Sequence, residues 1–178
     1  MSKEEPVLHI RGKARLLPDN VCTDHIISSG RKRDAADIRE ATKHIFEDLD
    51  PPLLHPIESG DIIVAGSNFG CSSAMEIAVE VLKYAGVGAI IARSFARTYY
   101  RNAVNLGLPV FEIDVHGIYE ADEICVDLKG SAGRISNLTR GFEVGLPSIP
   151  SFVLEVILAG GLSEYYRALG HLPAGRLR

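Results

Sequence analysis

The sequence predicts an α/β fold layered around a parallel or mixed sheet, and three observations carry that expectation. Short apolar runs, DIIVAG at 61–66, GAIIA at 88–92 and LPVFEI at 108–113, alternate with two longer segments of helical period. The strand-like stretch VLHIRGKARLL at 7–17 leads into them. Residues 115–147 are polar and turn-rich, broken into short alternating pieces such as EICVDL, which suits small hairpins better than helix. Alternating strand and helix between β-rich flanks is the pattern of a layered α/β domain.

In chain order, residues 7–17 read as one strand or two, closed by Pro18, Asp19 and Asn20. A loop is expected through TDHIISSGRKRD. A helix should then start near Asp37, because Ile38, Ala41, Ile45, Phe46 and Leu49 share one face of DIREATKHIFEDL, and Asp50, Pro51 and Pro52 stop it. The run at 61–66 follows the turn residues Ser59 and Gly60 as a buried strand. AMEIAVEVLKYAG is apolar on most sides and predicts a largely buried helix, with Gly86 as its C-terminal cap. A strand at 88–92, a helix through SFARTYYRNAVNLG closed by Gly107, and a strand at 108–113 come next. SFVLEVILAGG and LSEYYRAL supply two final helices.

A chain of 178 residues suits one domain, 1–178, long enough to bury a core. With 46% hydrophobic and 24% charged residues it reads as globular rather than disordered or fibrous. The net charge of −4 argues against nucleic acid as a partner. Cys22, Cys71 and Cys125 are too far apart for a disulfide framework or a metal knuckle, so no metal ligands are expected within the chain. The charged start MSKEEP carries no apolar signal region and no stretch is long enough to cross a bilayer; a cytoplasmic, membrane-free setting is the expectation.

The stretch GSNFGCSSAMEIA at 66–78 carries the chemistry. A strand, a glycine loop and a helix in succession leave unpaired N–H groups that favour a phosphate or carboxylate. Gly66 and Gly70 would allow sharp turning and close approach of a ligand. Ser72 and Ser73 stand where an N-cap is expected, so a capped helix without a ligand is an equal reading. There is no G-K-[ST] ending for a phosphate-gripping lysine and no G-x-G-x-x-G spacing for a dinucleotide. Cys71 is a weaker candidate, a nucleophile activated at a helix N-terminus.

Four segments in order resemble one known family. NVCTDHII resembles its N-x-x-T-D-x-I opening, HIFEDLDPP followed by GDIIVAGSNFGC its middle, SFARTYYRNAVNLGLPV a characteristic stretch, and IPSFVLEVILAGGLSEYYR its tail. The family is that of 3-isopropylmalate dehydratase small subunits, similar to the mobile C-terminal domain of aconitase. The resemblance implies a three-layer β/β/α swivelling domain that closes over a separate large subunit, as heterodimer or heterotetramer. That subunit would carry a [4Fe–4S] cluster and three cysteine ligands, with none bound by this chain. The implied chemistry is a hydro-lyase isomerisation of a hydroxy-dicarboxylate, of the kind used in leucine biosynthesis, in which cluster iron is the Lewis acid.

The family's G-C-G-S-S-R-E-H-A falls on residues 70–78, read here as G-C-S-S-A-M-E-I-A. The resemblance makes Ser73 the general base, with Gly70, Cys71 and Ser72 beside it in the substrate site. Ala74, Met75 and Ile77 replace the family's second serine, its substrate-gripping arginine and its histidine. Methionine offers a carboxylate almost nothing where arginine offers a bidentate fork. The family's specificity loop reads S-S-G-R-K-R-D here, so Arg31, Lys32 and Arg33 are candidates to grip a carboxylate in its place; a solvated charged turn is the alternative. The departures leave open a related hydro-lyase with another diacid, of homoaconitate or dimethylmalate type, or a non-catalytic regulatory module. Asp24 and His25 would orient the specificity loop or serve a structural turn. Arg97, Arg101 and Asn102 are expected in salt bridges or subunit contacts, and His44 and His55 at the surface.

Overall fold

A computed structural model gives the fold over residues 5–49, 52–114 and 116–170. In chain order the elements are β1 (Val7–Leu17), α1 (Thr23–Ile26), α2 (Ser29–Asp34), α3 (Ile38–Thr42), β2 (Ile62–Ala65), α4 (Ile77–Tyr84) and β3 (Ala89–Ala92). They continue as α5 (Arg97–Leu106), β4 (Val110–Glu112), β5 (Glu123–Lys129), β6 (Ala132–Asn137), β7 (Phe142–Leu146), α6 (Ser151–Leu158) and α7 (Leu162–Ala168).

The strands form one sheet in the order β4-β3-β2-β1-β5-β6-β7. β1 belongs to both halves. Its residues 7–13 pair antiparallel with β5, and residues 14–17 pair parallel with β2. The parallel half is built by crossovers through the helices, as parallel neighbours require. Every residue of β2 and β3 is buried, which is why both read as continuous apolar runs. β5 instead alternates, with Ile124, Val126 and Leu128 pointing inward.

Two cores flank the parallel strands. Ile63, Ala65, Ile90 and Ala92 pack under α4 and α5 with Val79, Leu82, Tyr99 and Ala103. Ile62, Val64, Ala89 and Ile91 face the other way and meet Ile124, Val126, Leu128 and Ile135 of the antiparallel half. The sheet therefore folds back on itself along β1, giving antiparallel strands, parallel strands and helices as three layers. This is the β/β/α arrangement the resemblance implied. Gly86 and Gly107 follow α4 and α5 in the left-handed conformation expected of C-terminal caps. Among the described residues no helix is long and apolar enough to cross a membrane.

Three local expectations are corrected. The loop through TDHIISSGRKRD contains two short helices, α1 and α2. The helix starting at Asp37 does begin there, with Asp37 capping Glu40 N at 2.9 Å, but it ends at Thr42 rather than near Leu49. Phe46 adopts φ 59 and donates its N–H to Ile26 O at 3.1 Å, so a tertiary bond replaces the helical ladder while the ring stays buried. The proposed stop at Asp50 and Pro51 lies outside the described residues, as does most of the charged start (residues 1–4). Finally, α4 starts at Ile77, three residues later than the apolar pattern suggested.

Candidate functional site

The chain leaves β1, β2 and β3 at the carboxyl edge of the parallel strands, the usual place for a ligand in an α/β sheet. There the segment 66–73 lies between the loops that follow β1 and β3 and is bonded to both. Gly70 N donates to Val21 O at 2.8 Å and Thr23 N to Cys71 O at 3.0 Å. On the other side Phe69 N donates to Ser94 O at 3.0 Å and Ala96 N to Phe69 O at 2.9 Å. The parallel ladder thus continues past the strands and fixes the loop without a ligand.

Its glycines are required by the protein's own side chains. A Cβ on Gly70, at φ 76, would stand 2.1 Å from Cγ of the buried Tyr99. One on Gly66 would meet Asp19 Oδ1 at 1.8 Å, the oxygen that accepts Ser67 N at 2.6 Å. Close approach is real here, but the approaching groups are Tyr99 and Asp19. Because its N–H is spent on Val21, Gly70 shapes the loop and offers no free donor.

Ser72, Ser73 and Ala74 follow as exposed residues, with Ser72 at φ 75. This left-handed conformation sits where the family pattern has glycine. Among the described residues no acceptor is bonded to the backbone N–H groups of Ser72, Ser73 or Ala74, and none to the Ser73 hydroxyl. The Ser73 carbonyl is held by Thr23 Oγ1 at 3.1 Å and by Met75 N at 2.9 Å. Consecutive outward N–H groups around a left-handed residue form a concavity suited to an anion. The capping reading of Ser72 and Ser73 is overturned: the N-cap of α4 is Glu76, and no side chain bonds there.

Cys71 is not an activated nucleophile. It lies six residues before α4, and burial, together with the adjacent Cys22, pushes its thiol above the ordinary range. Met75 is 8% exposed and belongs to the helix-side core, and Ile77 packs against the same core. The position of the family's arginine is thus filled by packing.

The basic residues lie on α2, which is tied to this loop through α1. Asp24 Oδ1 accepts from Ser29 N at 3.2 Å and Ser29 Oγ at 2.8 Å, while Thr23 reaches Ser73. Asp24 therefore holds the start of α2, and His25 Nδ1 accepts from Cys22 N at 3.3 Å. Arg31 is committed to Glu47, whose carboxyl it holds below the ordinary range with help from His44 and against the effect of burial. His44, expected at the surface, is half-buried on Glu47 at 2.7 Å, and His55 is exposed. Lys32 and Arg33 are exposed and form no ion pair among the described residues. Arg97 and Arg101 also form none among them; Arg101 Nε donates to Arg97 O at 3.3 Å.

The sequence reading missed a polar group on the same edge. Asn68 Nδ2 donates to Asn20 Oδ1 at 2.9 Å, and Arg93 stands 3.9 Å from both Asp19 and Asp114. The one signal available was a cation placed directly after a buried strand.

A β/β/α domain that carries a serine loop at the carboxyl edge of its parallel strands defines the class of aconitase-type swivelling domains. The chain belongs to the aconitase C-terminal domain family, whose model matches residues 24–114. It is 45% identical over 159 residues to a 3-isopropylmalate dehydratase small subunit of Caldicellulosiruptor bescii, covering 88% of this chain and 94% of that one. It is 44% identical over 157 residues to a methanogen homoaconitase small subunit of Methanothermobacter thermautotrophicus, covering 88% and 90%. The crystal structure of 3-isopropylmalate dehydratase from Methanocaldococcus jannaschii superposes with a TM-score of 0.82 at 34% identity, covering 92% of this chain and 96% of that one.

Proposed function

We propose that residues 1–178 form the single swivelling domain of a cytoplasmic hydro-lyase small subunit of the 3-isopropylmalate dehydratase type. With a large subunit it would isomerise a hydroxy-dicarboxylate by dehydration and rehydration. The observation that carries the reading is the exposed Ser73 hydroxyl, unbonded among the described residues, on a loop anchored from both sides. The names of the relatives point the same way.

The three cysteines of this chain do not fit an iron–sulfur cluster. Cys22 and Cys71 are bridge neighbours at the carboxyl edge, while Cys125 lies on β5 in the other outer layer. A [4Fe–4S] cluster supplying Lewis-acid chemistry at the departing hydroxyl therefore belongs, in this proposal, to the large subunit. What this chain adds is a base and an anion cradle. Ser73 Oγ, as the alkoxide, takes the carbon-bound proton and becomes the hydroxyl. The N–H groups of Ser72–Ala74, without an acceptor among the described residues, stabilise nearby negative charge, the kind of preorganised donor set that lowers such barriers. Cys71 and Gly70 hold the shape of that cradle.

A second reading concerns the substrate. With Met75 in the core, the carboxylate grip must come from elsewhere, and Lys32 and Arg33 are the cations of α2 that form no ion pair among the described residues. Arg31 is already held by Glu47 and would position the helix. A homoaconitate-type acid, which carries a further carboxylate, suits such a surface better than an acid with an alkyl substituent does.

The test is reconstitution with a large subunit. Ser73→Ala should abolish turnover while the complex still assembles, because it removes a base and little volume; near-normal kcat would make Ser73 a structural residue, and a wild-type complex that assembles but does not turn over would favour a non-catalytic paralogue. Arg33→Ala should raise KM for the true diacid by more than tenfold, on the scale of a lost carboxylate partner worth about 2–5 kcal/mol. A silent Arg33→Ala would leave α2 a solvated turn.

A further inference from the structure

The outward face of β5 alternates Glu123, Cys125, Asp127 and Lys129. A cysteine in a row of charged side chains is unusual for a solvent-side strand face, since free cysteine behaves as a small buried hydrophobe. Across the antiparallel ladder His9 is paired directly with Asp127, and Arg11 with Cys125. His9 is thus opposite one member of the β5 pair and diagonal to the other, within reach of both.

Three donor atoms converge there. His9 Nδ1 lies 2.6 Å from Asp127 Oδ1 and 3.8 Å from Cys125 Sγ, and Sγ is 3.5 Å from Asp127 Oδ2. All three lie within 4.8 Å of one another. Four-coordinate zinc, with bonds of about 2.0–2.3 Å to nitrogen, oxygen and sulfur, separates its donors by about 3.3–3.6 Å. Of the two contacts to sulfur, the one to Asp127 at 3.5 Å already has that spacing and the one to His9 at 3.8 Å closes by about 0.2 Å. The His9–Asp127 contact is a hydrogen bond and opens by roughly 0.7 Å when a metal takes its place.

The set does not suit nucleophilic catalysis. Both Cys125 and Asp127 address the same imidazole nitrogen, whereas a triad uses one nitrogen for each. The neighbouring cations have other acceptors. Arg11 is bonded to Glu123 at 2.8 Å, and Arg134, 3.9 Å from Asp127, also lies 3.7 Å from Glu143. Cys125 is buried at the bottom of the cluster and His9 is exposed at the top, so an ion arriving from solvent would meet nitrogen and carboxylate before sulfur.

We propose that His9, Cys125 and Asp127 form a binding site for one divalent cation of zinc type, with water as fourth ligand, clamping β1 to β5. A thiolate with an imidazole selects a borderline-soft ion over magnesium or calcium.

The test uses the purified full chain after chelator treatment and two probes, Zn2+ and Co2+. Zn2+ should bind one equivalent tightly enough to compete with a micromolar chromophoric chelator. Co2+ should give a near-ultraviolet thiolate charge-transfer band and tetrahedral visible bands. At about a hundredfold excess over Kd, Zn2+ should raise Tm by about 5–10 °C. Cys125→Ser should remove the charge-transfer band and weaken binding at least a hundredfold. His9→Gln, at an exposed position that keeps the fold, should weaken binding about tenfold to a hundredfold, and Cys22→Ser should leave it unchanged. No competition with the chelator, or one-equivalent binding that survives both Cys125→Ser and His9→Gln, would overturn the site.

Discussion

Gly70→Ala probes the packing that sets the serine loop. The new Cβ would lie 2.1 Å from Tyr99 Cγ, 2.4 Å from its Cβ and 2.5 Å from Cδ2. Ordinary carbon contacts need about 3.5 Å, so the ring or the loop must retreat by roughly 1.4 Å. The ring has little room: Tyr99 is 2% exposed, its centroid is 5.2 Å from Phe69 edge-on and 6.5 Å from Phe95 in a stack, and its hydroxyl donates to Ala78 O at 3.4 Å. Overpacking of this kind costs about 1–3 kcal/mol, and the left-handed φ of 76 about 1–2 kcal/mol more. Together these predict a loss of roughly 2–5 kcal/mol, or a fall in Tm of about 10 °C for a chain of this length. Gly141→Ala is the internal control. Its φ is 72, yet a Cβ there meets nothing within 4 Å, so it isolates the backbone contribution and should lower Tm by about 3–6 °C. Thermal unfolding followed by circular dichroism gives both values. Equal falls in the two variants would refute the steric argument and release Tyr99 from any role in placing Ser73.

Two further predictions concern buried charge. Asp61 Oδ2 accepts from Arg15 Nε at 2.6 Å and from Glu58 N at 2.8 Å, deep between β1 and β2. Asp61→Asn should cost about 3 kcal/mol in urea unfolding, since it leaves Arg15 buried with Glu120 at 3.3 Å and the exposed Glu58 at 3.9 Å as its remaining carboxylates; a change under 1 kcal/mol would show the pair to be dispensable. Asp122 is buried, which alone would raise its pKa, but Asn137, Arg140 and the Tyr119 N–H outweigh burial and hold the carboxyl below its ordinary range. Its stabilisation is therefore full above the unfolded value of about 3.9 and is lost as pH falls through the lower folded value. Asp122→Asn should be less stable than the wild type at pH 6, with the gap closing below pH 4; a constant gap down to pH 2 would refute the assignment.

How much could be read before the fold was known differs by element. The fully buried strands β2 and β3 and the helices α4 and α5 announce themselves, because burial on both faces leaves an apolar run and left-handed glycines end the helices at Gly86 and Gly107. The segment around Phe46 did not, since its apolar spacing is helical while its backbone is not. There a contact with Ile26, distant in sequence, outweighs local period. Ser72 and Ser73 misled for a related reason: their composition is that of a cap, but three further residues separate them from α4.

The candidate site divides along the same line. By itself the sequence determined the family, the serine at 73 and the absence of arginine at 75, because these are matters of residue identity in order. Only the tertiary structure decided that Met75 turns into the core, that Gly70 yields to Tyr99, and that Arg31 is spent on Glu47 while Lys32 and Arg33 are not. It also brought His9 within 2.6 Å of Asp127, two residues 118 apart in the chain. The physical reason is common to all of these. Local pattern reports which face of an element is apolar, whereas side-chain partners depend on which strands the register sets opposite one another, and that register is fixed by the packing of the whole sheet.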